Sequence, residues 1–176
     1  MSRPISSSAA LPIAYVVLRT LVILNWLFGA AILALLIWSL THEQWTMTAL
    51  GVPPSPETER LITGMRAVAA LGFAAIPLHY AVLKRLLAIV ETVRAGDPFV
   101  AANAYRLQGI AWALLALQII GIVIGAIGKA LSTPTHPVDL DAGFSINGWL
   151  AVLLTFILAR VFAEGALMRD ELEGTI

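Results

Sequence analysis

Four apolar stretches, Ile13–Leu40, Leu61–Leu83, Leu107–Leu131 and Phe144–Phe162, decide what this chain can fold into. Each approaches or exceeds the ~20 residues that an α-helix needs to cross a hydrocarbon core about 30 Å thick. A soluble domain is about 45–50% apolar and about 25% charged, whereas this one is 59% apolar and 12% charged. There is too little polar surface to cover it, so the predicted solvent is lipid. Backbone groups in lipid must be satisfied within each segment, which predicts helices. The expected fold is all-α, a polytopic membrane protein of four helices in a bundle.

The first stretch follows a single charge, Arg3, as a secretion signal would. Its length exceeds the ~7–15 residues of a signal core, and no small-residue cleavage pattern closes it. It reads as an uncleaved span, with Asn25 near mid-depth seeking a hydrogen-bond partner on another helix. Residues 41–60 hold Pro53, Pro54 and Pro56 with Glu43, Glu57 and Glu59, and read as a loop outside the membrane. The second span, 61–83, contains Pro77, His79 and Tyr80.

Past Lys84-Arg85, Leu86, Leu87, Val90 and Val93 continue the helical register. Residues 84–106 are therefore predicted to form a helical hairpin beyond the membrane. Gly96 is suited to end one helix in a left-handed conformation. Asp97-Pro98 is suited to start the next as N-cap and first residue. The third span, 107–131, carries Gln118 and the pair Gly121 and Gly125, a GxxxG spacing that lets a second helix approach closely. Residues 132–143 form a second acidic, proline-containing loop, 144–162 the fourth span, and 163–176 an amphipathic tail.

Arg3, Arg19, Lys84, Arg85, Arg94, Arg106, Arg160 and Arg169 fall on the side of the hairpin and both termini, and only Arg60, Arg66 and Lys129 on the other. The positive-inside bias places the hairpin, the N-terminus and the C-terminus in the cytoplasm. Trp38, Trp45 and Trp149 then fall at the outer interface, where indoles prefer to sit.

Little in the sequence points to chemistry. The absence of cysteine excludes disulfides, thiolate metal sites and Cys nucleophiles. His42 and His136 fall in the outer loops, about 25 Å along the helix axis from His79, too far for a shared haem. A metal on His42, His136, Asp139 and Asp141 is weighed and set aside as scattered loop chemistry. Every Asp and Glu lies outside the apolar cores, which argues against a proton-coupled pump. The expectation is a protein that is not an enzyme and has neither cofactor nor metal. A net charge of zero without a dense Lys/Arg cluster argues against direct nucleic-acid binding.

What remains is contact with partners. Arg94, Asp97, Phe99, Asn103, Glu164 and Arg169 are the candidate partner contacts, and Asn25, Gln118, Gly121 and Gly125 the candidate helix-packing residues. Gly96-Asp97-Pro98-Phe99-Val100 with Asn103 and Leu107, and the ending from Phe162 to Ile176, resemble the bacterial membrane family known as domain of unknown function 2975. The resemblance implies four transmembrane helices and, in many members, a neighbouring gene for a small helix-turn-helix regulator; the expected location is the bacterial inner membrane. It implies no reaction and no catalytic residues; Glu173-Gly174 also interrupts the usual ending of the family. The leading expectation is a membrane protein that binds a soluble transcription regulator. An accessory subunit of a larger membrane complex packing through the Gly121/Gly125 face, a homo-oligomer, and a small-molecule channel or exporter stay open beside it.

Overall fold

The computed structural model describes residues 10–42, 45, 47, 48, 51, 55–132 and 142–173. Four helices run in chain order: α1 (Ala10–Thr41), α2 (Pro56–Arg94), α3 (Ala101–Leu131) and α4 (Ile146–Glu173). All four are long and apolar enough to cross a membrane. The described residues include no strand. At about 1.5 Å per residue α2 is near 58 Å long, almost twice the thickness of a hydrocarbon core. It therefore has room for a span and an extension within one unbroken helix.

The helices pack serially, α1 on α2, α2 on α3 and α3 on α4. Leu107 and Ile110 of α3 and Ala159 of α4 form a buried cluster, with Val82, Leu86 and Ile89 of α2 against it. Toward the far end of α2 and α3, Gly64 leaves room for the side chain of Leu131. Arg85 of α2 lies over Gly109 of α3, where a Cβ would stand 2.6 Å from its Nε. In lipid, apolar side chains gain little by leaving solvent, so close approach at small residues and polar contacts between helices carry the packing.

Two helix starts differ from the sequence expectation. α2 begins at Pro56, five residues before the apolar stretch, inside the segment expected to be loop. Ser55 is its N-cap and accepts from the Thr58 amide at 3.2 Å. Pro56 fills the first turn, where its missing donor costs nothing, and Glu57 and Glu59 favour the positive end of the helix dipole.

At the other junction, Asp97 is not an N-cap. α3 begins at Ala101 after Val100, with no side-chain cap. Gly96 does adopt the left-handed conformation, at φ 84°. Its amide donates to Val93 O at 3.1 Å and the Asp97 amide to Thr92 O at 3.0 Å, the paired bonds of a Schellman ending. That ending turns the chain so that Pro98–Val100 run extended before α3 starts, leaving the Asp97 carboxylate free for a distant partner.

α4 begins low on α3. Gln118, midway along α3, donates to Ser145 O at 3.2 Å, and the Ser145 hydroxyl caps α4 by accepting from the Gly148 amide at 3.2 Å. Gly125 is buried under residues 142 and 143, and a Cβ there would lie 2.5 Å from Ala142 O. The last turns of α3 thus rise past the start of α4, and the GxxxG face is occupied by this chain's own backbone.

Candidate functional site

The α2–α3 turn does not stand free but is docked on the end of α4. Asn103, near the start of α3, is wholly buried. Its amide nitrogen donates to Thr92 Oγ1 at 2.7 Å and to Pro98 O at 2.8 Å. Its Oδ1 accepts from Arg106 Nη1 at 2.7 Å. Thr92 completes the chain of bonds by donating to Ile89 O at 2.7 Å, while Arg106 also reaches Ala88 O at 3.3 Å. One amide therefore ties the end of α2, the extended turn and the start of α3. A buried network with every member satisfied rigidifies its surroundings.

The turn reaches α4 through one charged and one apolar contact. Asp97 Oδ1 pairs with Arg169 Nη1. The Phe99 ring lies 5.3 Å from that of Phe162. It also rests on Gly165, where a Cβ would come within 2.9 Å of its Cδ1. Gly165 is thus the notch in α4 that receives the turn. Arg94 turns the other way, its guanidinium 5.3 Å from the centroid of the Tyr15 ring of α1, a cation–π contact. Glu164 pairs with Arg160 at 2.5 Å, one turn apart along the exposed face of α4.

The expected contact residues therefore divide. Asp97, Phe99 and Arg169 meet one another's elements and hold the turn to α4, while Arg94 meets α1 and Glu164 its own helix. Asn103 cannot touch a partner, because it is enclosed; its role is internal. Thr92, Arg106 and Gly165 belong to the same assembly and are not among the expected contact residues. A glycine inside an amphipathic helix was the one available signal for Gly165.

Beside the docked turn, Ala101, Ala104, Tyr105, Ala163, Ala166 and Leu167 line a groove of about 410 Å³ between α3 and α4. Tyr105 is 74% exposed, Leu167 58%, Met168 61% and Phe99 45%. These apolar side chains lie beyond Arg106 and Arg160, past the charges that close the apolar spans.

The helix-packing residues sit elsewhere. Asn25 donates to Ile76 O of α2 at 3.2 Å, Gln118 reaches the start of α4, and Gly121 and Gly125 face residues 142 and 143. His42 stacks on Trp38 with ring centroids 4.0 Å apart. His136, Asp139 and Asp141, weighed as metal ligands with it, lie outside the described residues. Among the described residues no three His, Asp or Glu side chains form a group that could hold a metal ion.

Four long apolar helices, packed through small residues and backbone carbonyls and charged chiefly beyond their apolar cores, define a multi-pass α-helical membrane protein. The chain belongs to the family described as protein of unknown function DUF2975, whose model matches residues 35–176. No curated protein and no solved structure matches it.

Proposed function

We propose that this is a non-enzymatic protein of the bacterial inner membrane, with both termini and the α2–α3 turn in the cytoplasm, that binds a small soluble transcription regulator. The observation that carries the reading is the docked turn. Asn103 and the Asp97–Arg169 pair hold it rigidly, and it flanks a groove with exposed Phe99, Tyr105, Leu167 and Met168. Exposed apolar side chains on a rigid polar-rimmed frame suit a protein partner, because little ordering entropy is lost on binding. The skew of Lys and Arg toward this end supports its cytoplasmic placement. The nearby regulator gene that the family resemblance implies supports the kind of partner.

Co-purification from native membranes is the test. The expected result is a soluble DNA-binding protein recovered with the intact chain and lost with Leu167→Glu and Met168→Glu, both exposed positions whose replacement leaves the turn contacts in place. Recovery of no such protein, or recovery unchanged by the double variant, overturns the reading.

A further inference from the structure

A second site lies inside the apolar region, between α1, α2 and α3. Because α1 packs chiefly on α2, an open groove of about 640 Å³ remains on that side, walled by residues such as Leu21, Leu24, Val82, Leu114 and Leu117. Two polar side chains line it, Asn25 and His79. His79 Nδ1 is 2.9 Å from Ala75 O. A carbonyl can only accept, so Nδ1 carries a proton, and in the tautomer with that one proton Nε2 presents a lone pair. The Asn25 amide nitrogen is committed to Ile76 O, which leaves Oδ1 as a second acceptor. Neither His79 Nε2 nor Asn25 Oδ1 has a partner among the described residues.

Ile76, which anchors Asn25, and His79 are three residues apart on α2, so both acceptors lie within about one helical turn. Acyl chains can fill the groove but cannot donate to either atom, and an unsatisfied acceptor in hydrocarbon costs free energy. His79 stands five residues before Lys84, about 8 Å along the axis from the nearest charge of α2. Phosphate groups do not meet this need, since they carry acceptors where a donor is needed.

We propose that this groove binds a hydrocarbon-tailed molecule whose head carries a hydroxyl, the hydroxyl shared between His79 Nε2 and Asn25 Oδ1 while the tail lies along the leucine-rich walls. Two membrane-soluble sources share that chemistry, an isoprenoid quinol and a diacylglycerol. The site involves none of the residues of the docked turn, so its occupancy is measurable with no protein partner present.

Nitrogen-15 spectroscopy of the His79 ring in phosphatidylcholine nanodiscs tests it. The full chain, carrying His42→Gln and His136→Gln so that one of the three histidines remains, is titrated with an isoprenoid quinol, with its dimethyl ether, and with a diacylglycerol. The expected result is a saturable Nε2 shift with a hydroxyl-bearing probe and none with the ether. The tighter of the two hydroxyl probes identifies the source. Asn25→Ala, with helicity unchanged by circular dichroism, weakens the titration about 3–10-fold, the value of one hydrogen bond. No shift with either hydroxyl probe overturns the proposal, as does a non-saturating response or an equal shift from the ether. Unchanged affinity in Asn25→Ala overturns the role of the second acceptor.

Discussion

α1 and the α2–α4 body are both strongly apolar, yet they are held in different ways. Gly29 is the one buried residue of α1, where α3 alone buries eight. α1 adheres at a few points spread along α2: Tyr15 under Arg94, Asn25 on Ile76 O, Gly29 against the Ile76 side chain, and Ser39 bound by the Arg66 guanidinium. The body has a continuous apolar seam through Leu107, Ile110 and Ala159, a buried amide at Asn103, and glycines at 64, 109, 125 and 165 filled by neighbours. Apolarity alone does not make helices adhere in a solvent of hydrocarbon tails; notches and polar pins do. The family match, too, begins at residue 35 and leaves out most of α1.

Breaking the body should cost most. Asn103→Ala removes three hydrogen bonds from a fully enclosed site and leaves the Arg106 guanidinium without its Oδ1 partner. We expect a loss of about 3 kcal/mol, read as a lower midpoint of unfolding in a denaturing-detergent titration. Unchanged stability would show that the turn is not held by this amide.

Gly29→Leu strikes the other half of the comparison. A bare Cβ there already stands 3.0 Å from Ile76 Cγ2, so a leucine must part the two helices, at about 1–3 kcal/mol. Hydrogen exchange should quicken in α1 while the protection of α3 and α4 stays as it was. Loss of protection throughout would mean that α1 and the body fold as one unit.

Asn25→Ala should cost less, about 0.6 kcal/mol, the average for a hydrogen bond between membrane helices. Its effect should again be confined to α1 exchange. The smallest change is expected from Asp97→Asn. The Asp97–Arg169 pair is roughly 40% exposed at both side chains, so solvent screening leaves it at or below about 1 kcal/mol. The cost should shrink as salt rises, and a salt-independent effect would point to a packing role instead.

The number and order of the helices were legible because lipid imposes length and apolarity directly on the sequence. Junctions were harder. Prolines at 53, 54 and 56 obscured Ser55 and Glu57, although cap, proline and acidic first turn together spell a helix start. Asp97-Pro98 displayed the same signals falsely: the Gly96 ending had already redirected the chain, and the carboxylate answers to Arg169, seventy-two positions away. No local pattern encodes such a pairing. Gly121 and Gly125 advertised close approach correctly in kind, but spacing does not say whether a helix or a descending loop will fill the space.

That descending chain has a consequence for the surrounding bilayer. From Ile146 to Ala159, before the charge of Arg160, α4 offers fourteen residues, near 21 Å of apolar length. Counted the same way, from Thr20 after Arg19 to Leu40, α1 on the opposite flank of the row offers twenty-one residues, about 32 Å. A hydrocarbon core about 30 Å thick matches the α1 run and exceeds that of α4, so the mismatch falls on the α4 side. The protein is thus a wedge in hydrophobic thickness, thinner on its α4 flank than on its α1 flank.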